Sequence, residues 1–264
     1  MGSNSRTTTI LGHIAELRDR LVRSSIAIVI TTIVSFIFAN QIFAIITFKS
    51  ELTRPIFELL ADKLHLAPAP IIPLIAIEMT EIFGVYMKVC LVAGIIMAMP
   101  YLLYEMVMFV SPALTSKERR YVYVIFPWVA MMFIVGVIFA YFILLPPAIT
   151  FLVNFGSDIA TAQIRIENYV SVVSRLLLAV GLVFELPVLI TFLARIGVVS
   201  PKWLSEKRKF AIILGFVVGG IITPTFDPIN QLLVTLPLLL LYEMSIWLAR
   251  IVYKKRKTTP AAAT

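Results

Sequence analysis

VVSRLLLAVGLVFELPVLITFLAR, running from Val172 to Arg195, is long and apolar enough to cross a bilayer, yet it carries a carboxylate, Glu185, near its middle. A hydrocarbon core about 30 Å thick is spanned by roughly 20 helical residues. A charged side chain at that depth costs roughly 3 kcal/mol even on the mildest scales unless it faces a protein interior or a wet cavity. The stretch therefore reads as a membrane-spanning helix, and the role of Glu185 becomes the first functional question.

Apolar runs of spanning length also occur at about Leu21 to Phe43, Tyr86 to Val110 and Tyr121 to Leu145, with two shorter ones at Phe210 to Thr223 and Gln231 to Leu248. The run from Phe210 rises only about 21 Å, so it crosses only where the membrane is thin, the helix upright or its ends shielded. Apolar residues make up 60% of the chain and charged ones 14%, well below the roughly 25% of a soluble domain. Mean hydropathy is +0.96. The expected fold is an all-α integral membrane protein with six transmembrane helices. Residues 1–20 form a cytoplasmic N-terminal segment with a short amphipathic helix, 21–252 a single transmembrane domain, and 253–264 a basic flexible tail.

The formal net charge of +8 does not point to nucleic acid, because the basic residues fall between apolar runs and not in one stripe. Arg6, Arg18, Arg20 and Arg23 precede the first run; Lys117, Arg119 and Arg120 lie between the second and third; Lys202, Lys207, Arg208 and Lys209 follow the fourth; Lys254 to Lys257 follow the last. The connections Gln41 to Thr80, Phe151 to Val170 and Thr223 to Asn230 lean acidic. By the positive-inside rule, six spans with both termini in the cytoplasm fit every segment.

Leu52 to Leu64 is amphipathic at helical spacing, with Ile56, Leu59, Leu60 and Leu64 on one side, and predicts a short helix along the membrane surface. Pro146 and Pro147 are expected to end or kink the third span. Gly215, Gly219 and Gly220 read as close helix packing. The pattern of runs contains no inverted repeat of the kind that repeat-built transporters display.

Catalysis finds little support. No nucleotide-binding glycine loop, dinucleotide fingerprint, zincin motif or nucleophile with a paired base is present, so no enzyme activity and no cofactor are expected. Cys90 is the single cysteine, and His13 and His65 are far apart, so neither a disulfide nor a metal centre is supported.

Polar residues near the runs leave open readings. Glu16 and Arg20 are four apart on a helix face, as an interfacial anchor would have them, and Glu118 sits among Lys117, Arg119 and Arg120 as surface dressing would. Two carboxylates on one cytoplasmic face also suit a cationic ligand, since a guanidinium fork matches a carboxylate bidentately. Glu105 and Glu243 read as snorkelling or paired with loop arginines, and Lys88 as an interface anchor. For Glu185 three readings stand: a structural carboxylate bonded to a hydroxyl or to Gln231, a polar site for a partner helix or cavity, and a proton or ion relay.

Four stretches carry a resemblance. They are His13-Ile-Ala-Glu16-Leu17-Arg18-Asp19-Arg20-Leu21; Phe109-Val-Ser-Pro112-Ala113-Leu114 with Glu118 and Arg119 following; Phe184-Glu185-Leu-Pro187-Val188; and Thr223-Pro224 with Asp227 and Gln231. In this order, from about residue 11 to 252, they closely resemble the TatC family, the multispanning receptor of the twin-arginine protein translocase. The resemblance implies recognition of twin-arginine signal peptides by Glu16 and Glu118, with Arg18, Arg20 and Arg119 arranging those carboxylates and Phe109 and Pro112 fixing the end of span two and the start of the binding loop. It implies a concave helix surface faced by Glu185, docking of single-span TatA/TatB-type subunits near Gln231 and Asp227, a homo-oligomeric working complex, and contact with membrane lipid but not nucleic acid. The rival readings are a proton- or ion-coupled small-solute transporter using Glu185 and a structural membrane subunit of a respiratory or assembly complex.

Overall fold

Proline is absent from the polar start of the chain and from its first apolar run, and the start together with most of that run forms one helix, α1 (Asn4–Ile37). The computed structural model describes residues 4–51, 53–64, 74–110, 116–155, 163–223 and 228–258. After a break at Phe38 the chain resumes as α2 (Ala39–Ile46). Phe48, at φ 58, then takes the left-handed conformation and turns the backbone toward α3 (Arg54–Leu64). The amphipathic expectation for α3 is met with one change. Phe57, which lies off the apolar stripe, is the buried anchor, while Ile56 and Leu59 remain exposed as the membrane face of an interfacial helix requires. Phe57 packs against Phe48, Tyr141 and Phe142 with ring centroids 5.2, 5.4 and 4.9 Å away.

A two-residue strand, β1 (Leu74–Ile75), leads into α4 (Glu81–Val110), and α5 (Ser116–Phe139) follows. Pro146 and Pro147 do not end the third span. Lacking N–H groups, they cannot bond the carbonyls of Phe142 and Ile143 one turn back, and the chain accommodates this with a π-helical turn, Ala140–Leu144. The helix then continues as α6 (Leu145–Asn154).

The second strand, β2 (Ile164–Arg165), pairs in parallel with β1, Leu74 opposite Ile164 and Ile75 opposite Arg165. The two connections expected on the outer side thus meet at one end of the bundle. The fourth run is interrupted: α7 (Ile166–Val183) and α8 (Leu186–Ile196) flank Phe184 and Glu185. Pro187 deprives the Val183 carbonyl of its helical donor, which explains the break. Gly197, at φ 86, closes α8 in the left-handed conformation, with its own N–H and that of Val198 returning to the Leu193 carbonyl. Ser200 caps α9 (Pro201–Glu206) by accepting the Trp203 N–H at 3.1 Å.

The last two apolar runs form α10 (Arg208–Ile222) and α11 (Pro228–Thr258). They approach closely through the small residues. A β-carbon on Gly219 would collide with the Thr235 hydroxyl, and one on Gly215 would lie 3.2 Å from Leu239. The core gathers Val85, Val89, Leu145, Val170, Val173 and Leu176 between α4, α6 and α7. Among the described residues, five stretches are long and apolar enough to cross a membrane: Gly12–Ile37, Glu81–Phe109, Phe126–Asn154, Ile166–Ile196 and Pro228–Tyr253. The fold is therefore an all-α, multi-span membrane fold with five long apolar helices. The remaining apolar run is present as α10, whose 15 residues rise about 22 Å.

Candidate functional site: a carboxylate pocket at the N-terminal end of the bundle

Where α1 crosses the end of α4, a single guanidinium holds two carboxylates. Arg20 donates Nε and Nη2 to Glu16 Oε1 at 3.0 and 2.6 Å, and Nη1 to Glu105 Oε2 at 2.8 Å. The other Glu105 oxygen accepts the Tyr101 hydroxyl at 2.8 Å. Burial rises inward, with side-chain exposure of 31% for Glu16, 17% for Arg20 and 5% for Glu105. His13 stacks on Phe109 with ring centroids 4.3 Å apart and planes inclined by 16°. Its Nδ1 lies 3.8 Å from Glu16 Oε2. The pocket thus presents a partly exposed carboxylate beside a stacked pair of rings.

The sequence-predicted residues divide accordingly. Glu16, Arg20 and Phe109 come together, and Glu105 joins them as a buried partner of Arg20 and not as a snorkelling side chain. Arg18 turns away and pairs with its neighbour Asp19 at 2.9 Å, fully at the surface. Glu118 and Arg119 fall in the first turn of α5, and their side chains, like Pro112 and Asp227, lie outside the described residues. Glu243 pairs bidentately with Arg208 at 2.6 and 2.9 Å, so the loop-arginine reading holds there.

Glu185 sits at the α7–α8 break against the Phe133 backbone of α5, with Oε1 buried and unpartnered. Gln231 is not its partner: Gln231 Nε2 donates to the Phe216 carbonyl of α10 at 2.8 Å. Arg175 is exposed and ten residues back, about 15 Å of helical rise. The structural reading through Gln231 is thereby removed. Close by, a groove of about 410 Å³ runs between α7, α8, α10 and α11, lined by Leu182, Leu186, Ile190, Leu214, Leu238 and Tyr242. An unpaired buried polar oxygen costs roughly 1–3 kcal/mol in a folded protein. Glu185→Met, similar in volume, is therefore expected to raise the melting temperature in detergent; a fall would mean that the carboxyl group is bonded in the native state.

At the opposite end a second polar cluster ties the outer connections together. Glu81 Oε2 accepts the backbone N–H groups of Ile77 and Glu78 at 2.8 and 3.2 Å, and Oε1 accepts that of Glu167, in the first turn of α7, at 3.3 Å. Arg165 Nη2 lies 3.4 Å from Glu81 Oε2. The hydrogen bond and charge of Glu81 hold the Arg165 guanidinium above its ordinary range, so it stays a cation. Lys88 reaches Ser171 at 3.0 Å and Glu167 at 3.6 Å, which makes it a link between α4 and α7 and corrects its reading as an interface anchor. Sequence reasoning missed this cluster, although an acid at the first position of α4 is well placed to take free N–H groups at the helix start.

Among the described residues no group of histidine, cysteine and acidic side chains is suited to a metal ion. Apolar spans with a carboxylate pocket at one end and a polar latch at the other define a multi-pass membrane protein. The chain belongs to the TatC family: the family model described as Sec-independent protein translocase protein (TatC) matches residues 12–237. The family is one of translocase subunits and not of enzymes. The TatC protein of Desulforapulum autotrophicum is 39% identical over 244 residues, covering 92% of this chain and 85% of the relative. That of Aquifex aeolicus is 37% identical over 247 residues, covering 93% and 96%. A crystal structure described as the twin arginine translocase receptor TatC superposes with a TM-score of 0.73 at 35% identity, over 91% of this chain and 99% of that one.

Proposed function

We propose that this chain is the receptor and core subunit of a translocase that exports folded proteins carrying twin-arginine signal peptides. The observation that carries the proposal, beside family membership, is the pocket around Glu16. Its Oε1 is taken by Arg20, while the side chain keeps 31% of its surface exposed and Oε2 lies on the His13 side of the carboxylate. Charge-assisted pairs of this kind favour arginine over lysine because the planar fork donates two parallel bonds. Glu118 supplies the second carboxylate, with Arg119 and Pro112 shaping its loop. Arg18, exposed beside Asp19, acts on the loop's surroundings and not on Glu16.

In the membrane, α10 makes the sixth crossing beside α11, and both termini lie in the cytoplasm of a cell whose inner membrane holds the protein. Meeting of the two acidic connections at β1–β2 and the basic charge at the other end support this orientation. Residues 1–20 form the cytoplasmic entry segment, 21–252 the transmembrane domain and 253–264 the basic tail. The short α10 thins the local bilayer at little cost per ångström. Single-span TatA/TatB-type subunits dock beside Gln231, Asp227 and Glu185 on a concave face, and several copies of the chain assemble with lipid around them. With no ATP-binding motif in the sequence, the transmembrane potential supplies the work, at about 2.3 kcal/mol per elementary charge per 100 mV.

Export tests the proposal. In a bacterium lacking its own TatC protein, this chain with its single-span partners is expected to export a folded reporter behind a twin-arginine signal, and Glu16→Ala with Glu118→Ala to reduce export by about 100-fold, as loss of two charge-assisted contacts predicts. Undiminished export by a normally accumulated double variant would sink the assignment of those two residues.

A further inference from the structure

Glu105 is the deepest charge of the pocket, and the proposed function leaves it without a task. It lies on the far side of Arg20 from Glu16, with 5% of its side chain exposed, so a signal peptide cannot reach it while Arg20 is in place. From this geometry we infer that Glu105 is a positioning residue for signal-peptide recognition: acting through Arg20, it fixes the Glu16 carboxylate so that Oε2 faces the ligand guanidinium. The inference rests on the receptor reading proposed above.

Three features support it. Arg20 spends all three of its bonding nitrogens on the two carboxylates, Nε and Nη2 on Glu16 and Nη1 on Glu105. A guanidinium anchored at one end only would be free to swing with Glu16. Bound to both, it spans α1 and α4 as a brace, and the Tyr101 hydroxyl locks the second Glu105 oxygen from one turn earlier on α4. A buried carboxylate also resists losing its cation, because removal of one partner strands the other charge out of water. Arg20 is therefore a fixed part of the pocket and not a placeholder that the ligand displaces. Finally, both Arg20 bonds to Glu16 fall on Oε1. The ligand meets an oxygen already aimed and needs to order only its own side chain, which is how preorganisation raises affinity.

The alternative role for Glu105 is merely to hold α1 on α4. Peptide binding separates the two roles. The full chain in nanodiscs is titrated with a synthetic signal peptide bearing Arg-Arg and with its Lys-Lys version, and melting temperatures are recorded alongside. Glu105→Gln is expected to weaken Arg-Arg binding by about tenfold and to bring the Arg-Arg to Lys-Lys ratio close to one. In a Glu16→Ala background the same change is expected to have no further effect, because the oxygen it positions is gone. Arg20→Lys keeps the charge but replaces three donor nitrogens in a planar fork by one, so it cannot hold both carboxylates in the same fixed geometry, and is expected to behave like Glu105→Gln; it also carries the test if Glu105→Gln fails to fold. The inference is overturned if Glu105→Gln keeps wild-type discrimination, or if it weakens binding equally with and without Glu16. If the wild type itself does not discriminate the peptides, the receptor reading fails and the inference falls with it, an outcome distinct from a discriminating wild type with an unaffected variant.

Discussion

Gly94→Leu is expected to lower the melting temperature sharply and to abolish peptide discrimination, although residue 94 lies outside the carboxylate pocket. A β-carbon on Gly94 would lie 2.7 Å from both the Cα and the backbone nitrogen of Thr32. Backbone cannot rotate aside as a side chain can, so α1 must move away from α4. The same movement breaks the bond from the Thr31 hydroxyl to the Gly94 carbonyl, 2.8 Å long. Overpacking of this kind costs about 3 kcal/mol. Among the described residues α1 packs chiefly on α4, with a short contact to α2, and leaves Leu21, Val22, Ile26 and Ile30 exposed, so the crossing with α4 is what holds it in register. Displacement of α1 carries Arg20 away from Glu105, and recognition goes with it. Gly84→Leu is the control, since its β-carbon would meet nothing within 4 Å. Equal melting temperatures for the Gly94 and Gly84 variants would show that the α1–α4 crossing is not tight.

Glu81→Ala is expected to lower the melting temperature by about 5 °C or more, and more than Glu81→Gln does. Alanine leaves the N–H groups of Ile77, Glu78 and Glu167 without the acceptor that now serves them, and removes the nearest anion from Arg165. Glutamine keeps an acceptor oxygen but loses the charge. The first turns of α4 and α7 then fray together, which amide exchange would register as a joint loss of protection at both helix starts. Loss at α4 alone would show that the Glu81 bond to Glu167 contributes nothing.

The spans were legible because a bilayer imposes one rule, a long apolar run with its backbone bonded internally, and composition records it directly. The run from Val172 to Arg195 lies within one apolar stretch, Ile166–Ile196, and its Pro187 carries the break that splits it. Helix ends were less legible: α7 begins at Ile166 and α11 runs to Thr258, beyond the apolar runs, because capping residues and charged tails extend helices past the hydrocarbon. Long-range polar pairing was legible only in kind, as with Glu243 and a loop arginine, and not in partner. Glu105 lies 85 residues from Arg20, and Arg165 and Glu78 are 87 apart, and nothing local distinguishes such a partner from any other loop charge. Phe57 shows the same limit on a smaller scale, since an amphipathic stripe identifies the membrane side of α3 and says nothing of the aromatic ring that pins its other side. In the pocket, Glu16, Arg20 and Phe109 were marked by the family resemblance, whereas the buried Glu105 emerges only from the crossing of α1 and α4.

The most direct measurement is the binding of paired-arginine and paired-lysine signal peptides to the purified full chain in nanodiscs, beside the Glu16→Ala, Glu118→Ala double variant. A receptor of this design binds the Arg-Arg peptide more tightly by about tenfold or more, and the double variant, still folded by its melting temperature, loses the preference. Equal binding of the two peptides by the folded wild type, or a preference that survives the loss of both carboxylates, would contradict the account.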